Sequence, residues 1–372
     1  MLIFAYIVPI IGCLLLRFAF NYHGGWTTYF WTLVCGEVIV GIVHWMFYWW
    51  RTSATEYLGA HVVRLHHKDA WIELVEKKET RRDADGNTYT VTRIEEKEHP
   101  EEYHYYTNLG AEHKTKPNFY HYVSRKWDVP THRYTIQGKN IKYGRRYEQE
   151  ELFSEAEINS IADYDRYVTL SEENSYENKI RNSHSIFNFE RIGKADIEQF
   201  RLYEWPSLDE HNDSDAILSH TIPISKELQA IYRRFNALVA SENQMRLLVL
   251  LFDADLGVCA AEKQKAYWKG GNKNEFIVCL GVNGEHNVSW VYSFSWAKEC
   301  VVEVETNQWF LAHPELDLYH FLAWFSFEHK KWVRREFKDF KYIRVSLKLW
   351  QTIVVLVIAV LYTIFTLRYI LK

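Results

Sequence analysis

Two aspartates and a later polar turn are the residues whose types and spacing could bind a cation. Asp253 and Asp255 follow the apolar run MRLLVLLF, and the run NKNEFIVCLGV ends at a turn with Asn283, Glu285 and His286. If both runs are parallel strands of one sheet, their carboxyl ends share the edge where α/β proteins gather ligands. These oxygens and the imidazole could hold a divalent ion such as Ca²⁺ or Mg²⁺. In the alternative, either aspartate caps the first turn of the next helix.

Histidines are concentrated in a polar region that follows residue 55. They are His61, His66, His67, His99, His104, His113, His121 and His132. Such a density suggests a metal site, because neutral imidazole is a common metal ligand. No pair has the spacing of a known zinc motif, and residues 55–180 contain no cysteine. Surface or hydrogen-bonded histidines are the alternative interpretation.

Three ionisable residues lie inside apolar segments near the start of the chain. Arg17 belongs to residues 2–20, whereas Glu37 and His44 belong to residues 29–50 and share one helix face. Ionisable groups in a membrane span are functional candidates, and Arg17 could reach toward Glu37. The alternatives are a polar contact between helices or subunits, and an ion pathway that two helices could build only as an oligomer.

The elements that must position these residues include three apolar segments, at 2–20, 29–50 and 349–367. The last has 19 residues without a charge, enough to cross a hydrocarbon core of about 30 Å. The stretch before it, which we expect to be a basic helix, has eight basic side chains against Glu328, Glu336 and Asp339. They are Lys330, Lys331, Arg334, Arg335, Lys338, Lys341, Arg344 and Lys348. Such a flank stays on the cytoplasmic side, so we expect an integral membrane protein with three spans and cytoplasmic soluble domains.

Composition, charge and the motifs present argue against some classes of function. The 372 residues carry a formal charge of -4, which argues against general nucleic-acid binding. Aromatic residues make up 16% of the chain, as expected where some of them lie at membrane surfaces. No phosphate-binding loop or dinucleotide fingerprint is present in the sequence, which argues against a nucleotide-driven machine.

Residues 55–215 are polar and predict a β-rich region. The run AWIELVEKKETRR, the turn DADGN and the run TYTVTRIEEK predict a hairpin that turns at Asp85 and Gly86. A second hairpin is predicted in HRYTIQGKNIKYGRRY, with its turn at Gly138. The composition of residues 209–215, DEHNDSD, predicts a linker.

Residues 221–345 predict a small α/β domain with a mixed sheet. A helical stripe comes first, followed by the buried strand MRLLVLLF, a crossover helix that closes at Gly270 and Gly271, the strand NKNEFIVCLGV and the strand VSWVYSFSW. Helical sequence follows and leads into the basic stretch. The whole chain is therefore predicted to be a membrane-anchored α+β protein: a transmembrane helical hairpin, a β-rich polar region, an α/β domain and a C-terminal transmembrane helix.

Residues 221–345, about a third of the chain, resemble the TPM domain, a family with phosphatase-like and photosystem-repair members that a membrane helix often tethers. The resemblance rests on the strand RLLVLLF, the helix that ends in AYWKGG, and NKNEFIVCLGV, where the family has a W-x-x-G step, an Asn and an apolar strand. It implies a membrane-anchored, metal-dependent phosphatase or hydrolase. The family's usual Gly-rich acidic stretch after the third strand is missing here.

The run LLVLLFDADLG also resembles the nucleophile strand of haloacid-dehalogenase-type phosphatases, which ends in D-x-D. The resemblance implies that Asp253 attacks phosphorus, that Asp255 is the general acid and that magnesium binds both carboxylates. Gly257 stands where that family has Thr or Val.

Three functions follow as hypotheses. The leading one is an integral membrane protein with a large cytoplasmic interaction or scaffold domain at the membrane surface. Its partners would be the lipid bilayer, an unidentified protein and further copies of the chain, and its sequence shows no evident catalytic constellation. The alternatives are a TPM-like metal-dependent phosphatase or hydrolase, and a subunit of an oligomeric membrane pore.

Overall fold

The computed structural model describes residues 2–20, 25–82, 88–127, 132–137, 147–152, 168–182 and 189–371, which form a mixed α+β fold. The helices are α1 (Leu2–Leu14), α2 (Trp26–Thr52), α3 (Pro117–Lys126), α4 (Lys194–Phe200), α5 (Lys226–Glu242), α6 (Cys259–Tyr267), α7 (Val301–Ala312), α8 (Leu318–Glu328) and α9 (Leu349–Ile370). The strands are β1 (Ser53–Lys68), β2 (Trp71–Arg82), β3 (Thr88–His99), β4 (Glu102–Thr107), β5 (Glu112–Thr115), β6 (His132–Gln137), β7 (Tyr147–Leu152), β8 (Thr169–Glu177), β9 (Ile217–Ser219), β10 (Arg246–Asp253), β11 (Glu275–Val282) and β12 (Val288–Ser295).

The chain divides into two compact units. The first comprises Met1–Glu56, Asn174–Arg191 and Arg335–Lys372, and the second comprises Tyr57–Glu173 and Ile192–Arg334. The regions 55–215 and 221–345 therefore contribute to the same second unit. Their contacts explain why: the Asn108 amide donates to the Ala237 carbonyl at 3.2 Å, and the Asn274 amide donates to the Tyr57 carbonyl at 2.8 Å.

The first unit contains three helices that are long and apolar enough to cross a membrane, namely Leu2–Ala19, Trp26–Thr52 and Leu349–Ile370. They match the three predicted segments. Small residues let them approach closely: a Cβ added to Gly36 would lie 2.9 Å from both Pro9 and Tyr362. Close contact through glycine is typical of helices that associate in a bilayer, where burial of apolar area gives no driving force.

The basic stretch before α9 is not the helix that we expected. It forms two short 3₁₀ turns, His329–Lys331 and Phe337–Phe340, joined by non-helical chain. Like charges spaced three and four residues apart would repel in an α-helix. Along the non-helical path the side chains of Trp332, Phe340 and Ile343 are buried.

A six-stranded sheet, the His-rich sheet, is built around the long strand β1. Its order is β5-β4-β1-β7-β6, and β8 also pairs with β1. Helix α3 covers it with Tyr120 and Val123, which belong to the same buried cluster as Leu65 of β1. The strands of the predicted second hairpin are present, since β6 and β7 pair antiparallel, but its predicted turn at Gly138 lies outside the described residues.

Strands β2 and β3, here called the ribbon, form a two-stranded sheet of their own. All twelve residues of β2 pair with β3, from Trp71↔His99 to Arg82↔Thr88. At roughly 3.4 Å per residue the ribbon is about 40 Å long. The predicted hairpin strands are confirmed, whereas the predicted turn at Asp85 and Gly86 lies outside the described residues.

The other sheet, the α/β sheet, has the order β12-β11-β10-β9. Strands β9, β10 and β11 are parallel and β12 is antiparallel, as the predicted mixed sheet requires. Helices α5, α7 and α8 supply the core on one face, and α6 with residues 192–205 supply it on the other. Both faces of β10 and β11 are therefore covered, which is why these strands have continuous apolar sequences. Strand β9 has three residues, too few to show a periodicity in the sequence.

Candidate functional site

The predicted cation-binding residues lie at the expected edge of the α/β sheet, where one oxygen each of Asp253 and Asn283 accepts hydrogen bonds within its own turn. Asp253 accepts a hydrogen bond from the Asp255 amide at 3.1 Å, as in the capping alternative. The Asn283 side chain accepts from the amide of Glu285 at 3.0 Å. Glu285 and His286 are exposed. Because β10 and β11 are parallel and in register, both turns lie at their carboxyl ends, and the ion site itself stays a prediction.

The predicted polar residues of the membrane helices lie in different surroundings. His44 of α2 meets α1, where its Nδ1 lies 2.8 Å from the Tyr6 hydroxyl. Glu37 is half-buried on α2. Arg17 lies in the π-helical turn after α1 and lines a cavity of about 380 Å³ with Cys13 and other residues. These positions fit a polar contact between helices, and an ion pathway stays a prediction.

A cavity of about 690 Å³ lies beside β9, the edge strand of the α/β sheet. Two of the polar side chains that line it, Gln229 and Arg233, have partners within the fold. Gln229 accepts hydrogen bonds from the amides of Ala216 and Ile217, so it completes the open edge of the strand. Arg233 binds Asp215 at 2.8 Å. The size suits a small ligand, but the lining points to no ligand class.

The strongest cluster of chemical groups lies where the ribbon joins the His-rich sheet. Within the described ranges, His67, Asp69 and Glu101 form the group of at least three His, Cys, Asp or Glu side chains whose ligand atoms lie within 4.8 Å of one another. His67 Nε2 is 2.5 Å from a Glu101 oxygen and 3.8 Å from an Asp69 oxygen. We call this cluster the ribbon root.

Strand pairing explains why the ribbon root forms. The ladder of β1 and β4 ends at the pair Lys68↔Glu102, and the ladder of β2 and β3 begins at Trp71↔His99. The ribbon therefore continues the β1 and β4 pair after a short break in both strands. At the break the His99 ring stacks on Trp71 with ring centroids 4.2 Å apart.

The break itself supplies the two carboxylates. Pro100 has no amide hydrogen, so it cannot continue the ladder. Glu101 follows it, and Asp69 lies on the opposite strand between β1 and β2. Both carboxylates are partly exposed, whereas His67, at the end of β1, is only 15% exposed. The site therefore has a fixed imidazole on its inner side and two solvent-accessible carboxylates on its outer side.

Tyr103 of β4 orients both His67 and Glu101. The His67 ring stacks on it with centroids 4.5 Å apart and planes 10° apart. The Tyr103 hydroxyl donates to Glu101, and this bond, together with His67, lowers the pKa of that carboxyl. Burial and the same carboxylate raise the pKa of Tyr103 to about 12. Glu101 is therefore ionised, Tyr103 stays a donor, and the cluster is suited to bind a cation.

The two faces of the ribbon differ in chemistry. One face carries a ladder of ion pairs, including Lys77 with Glu95 at 3.4 Å and His99 with Glu73 at 2.8 Å. The other face, here called the isoleucine face, carries Ile72 and Ile94, which are 49% and 59% exposed. Three carboxylates lie around them on the same face. These are Glu76, Glu96 and Glu98, the cross-strand neighbours of Ile94, Leu74 and Ile72.

Sequence reasoning identified the density of histidines but not the ribbon root. Its ligands are separated by up to 34 positions, so no local spacing identifies them. One signal was available: Pro100 interrupts a region of strong β character and predicts a break in the ladder. Only the strand register shows that Asp69 lies opposite this break.

Comparison of the chain with protein-family models, with curated proteins and with solved structures finds no match.

Proposed function

We propose that the chain is a membrane-anchored interaction protein that presents the isoleucine face of its ribbon to a protein partner in the cytoplasm. The observation that carries the proposal is a ribbon of twelve paired residues per strand that joins no other strand in the described part of the chain. The three apolar helices would provide the anchor. The eight basic side chains before α9 support a cytoplasmic location.

The physical reason for this proposal is the low stability of a two-stranded ribbon that pairs with no other described strand. A two-stranded sheet in water is marginally stable, and packing against another surface is the usual remedy. The isoleucine face offers Ile72 and Ile94 for that packing, with carboxylates around them. A partner with an apolar centre and a basic rim would bury the isoleucines and match the charges.

The phosphatase alternative has less support. Asp253 Oδ1 and Asn283 Oδ1 accept hydrogen bonds from amides of their own turns, so the placement of both residues is accounted for without a metal ion. The pore alternative would require several copies, because three helices in one chain do not enclose a channel.

Site-specific photo-crosslinking in intact cells tests the proposal. A crosslinking amino acid at position 94 lies on the isoleucine face, and one at position 75 lies on the ion-pair face of the same strand pair. We expect a discrete protein adduct from position 94 and at least about tenfold less from position 75, since an interface desolvates one face. The double variant Ile72→Glu and Ile94→Glu, with the crosslinker at position 92 of the same face, should lose the adduct, whereas Val75→Glu should keep it. Equal adducts from both faces, or none from position 94, would contradict the proposal.

A further inference from the structure

The geometry points to a binding site for a divalent transition-metal ion, Zn²⁺ by preference, formed by His67, Asp69 and Glu101 at the ribbon root. The inference concerns ion binding alone and does not depend on the proposed function.

The donor set selects the class of ion. One imidazole nitrogen and two carboxylate oxygens are ligands that Zn²⁺ accepts at about 2.0–2.2 Å. Ca²⁺ requires six to eight oxygens and Mg²⁺ keeps a rigid shell of oxygens and water, so a site with three protein ligands including an imidazole favours a transition metal. The exposed side of Asp69 and Glu101 leaves room for water to complete the coordination.

The distances require little rearrangement. Two ligands bound to one Zn²⁺ ion at these bond lengths lie roughly 3–4 Å apart. The 3.8 Å separation of His67 and Asp69 already lies in this range. The 2.5 Å contact of His67 and Glu101 is a hydrogen bond that would open by about 1 Å as the ion replaces the shared proton.

The surroundings hold the ligands in place. The His67 ring is fixed by its stack on Tyr103, and the Tyr103 hydroxyl holds Glu101. Groups that orient ligands in this way commonly raise metal affinity by 10-fold to 100-fold. His121 lies near the site as well, edge-on to Tyr103 with centroids 5.8 Å apart.

A bound ion would have a structural effect that can be measured. Asp69 belongs to the connection of β1 with β2, and Glu101 to the connection of β3 with β4. An ion held by both, and by His67 of β1, would tie the two connections to the His-rich sheet. The ribbon would lose freedom of motion at its root, because binding stabilises the arrangement that the ligands need.

The test uses the full-length chain in detergent micelles and a competing fluorescent Zn²⁺ chelator. We expect one equivalent of Zn²⁺ to bind, with Ca²⁺ and Mg²⁺ at least about 100-fold weaker. His67→Ala and Glu101→Gln should each weaken Zn²⁺ binding by about 100-fold or more, since each removes one of three protein ligands. Glu101→Gln changes an exposed side chain, so it separates loss of binding from loss of folding, which thermal unfolding checks.

Matched controls use groups outside the cluster. His286→Ala and Asp253→Asn each remove a group of the candidate at the α/β sheet, and both should keep the affinity of the unmodified chain. Hydrogen exchange provides a second readout: Zn²⁺ should slow exchange of the backbone amides of residues 69–71, 99, 101 and 102 in the unmodified chain only. Absence of saturable binding, or binding that survives both ligand substitutions, would overturn the inference. The crosslinking experiment needs no added metal, so the two proposals can fail separately.

Discussion

The α/β sheet and the ribbon belong to the same compact unit, yet different interactions stabilise them. Strands β10 and β11 have side chains buried on both faces, with Leu247 to Leu251 fully inaccessible. The ribbon is longer but exposes both of its faces. Removal of apolar surface from water stabilises the α/β sheet by about 25 cal/mol per Å². The ribbon depends on backbone pairing and on exposed ion pairs, and each such ion pair contributes about 0–1 kcal/mol.

This difference in burial predicts different roles, a structural framework for the α/β sheet and a binding surface for the ribbon. A sheet that is covered on both faces cannot offer a surface without unfolding, so it suits a framework. A ribbon that is exposed on both faces gains stability when something binds it, whether a protein on the isoleucine face or an ion at the root. The comparison therefore predicts that equivalent substitutions have very different consequences in the two regions.

The largest effect is expected at the buried ion pair at the start of the α/β sheet. Arg246 and Glu275 are 3% and 0% exposed and lie 3.6 Å apart. Arg246→Met should lower the free energy of unfolding by about 3–5 kcal/mol, because it removes the cation that faces the buried Glu275 carboxyl group. Urea denaturation of the full chain in detergent micelles measures this change.

The double variant Arg246→Met and Glu275→Leu is the control for that prediction. It removes both charges, and it should recover most of the lost stability. A loss of less than about 1 kcal/mol in the single variant would show that water reaches this pair, contrary to the burial of the α/β sheet.

A smaller effect is expected from truncation of apolar side chains, one in each region. Leu250→Ala in β10 should cost about 2–5 kcal/mol, because the side chain is fully buried and leaves a cavity. Ile94→Ala on the ribbon should cost less than about 0.5 kcal/mol in the absence of a partner, because that side chain is largely exposed. The same denaturation measurement compares them, and similar costs would contradict the division into framework and recognition surface.

The last prediction concerns the pH dependence of stability. Burial raises the pKa of Glu303, on α7 beside the α/β sheet, from 4.5 to about 7, although Lys265, a hydrogen bond from Cys300 and the backbone at Ser295 oppose the shift. The folded chain keeps this proton where the unfolded chain has lost it. Stability should therefore fall as pH rises from about 4.5 to 7, by up to about 2–3 kcal/mol. Unfolding midpoints across this range measure the fall.

Glu303→Gln should flatten that dependence, because the amide does not titrate. If the profile keeps its slope in Glu303→Gln, other buried groups of the α/β region cause it.

The order of elements in residues 221–345 could be predicted because its signals are local. The continuous apolar runs at β10 and β11 indicate strands that are buried on both faces, and the stripe in α5 indicates a helix with one buried side. The basic stretch before α9 was predicted wrongly. Trp332 and Phe340 of this stretch are buried by tertiary packing, which overrides the local tendency to continue a helix.

Prediction of the candidate sites has the same limit, because local sequence signals do not specify contacts between distant residues. Asp253 and Asn283 were placed correctly at one sheet edge, because parallel strands bring their ends together. Their use as turn acceptors depends on local geometry that the sequence does not report. His67 and Glu101 come together only through the pairing of β1 with β4, so their proximity could not be inferred from spacing.

The sequence by itself determined the three apolar helices, the ribbon strands and the alternation of helices and strands around the α/β sheet. These features follow from length, hydrophobicity and periodicity, which act over one element at a time. Only the tertiary structure decided that the β-rich and α/β regions contribute to one unit, that the ribbon pairs with no other strand in the described part of the chain, and that His67, Asp69 and Glu101 meet at its root. The physical reason is that strand register and packing between elements join residues far apart in the chain, and local sequence preferences do not specify those partners.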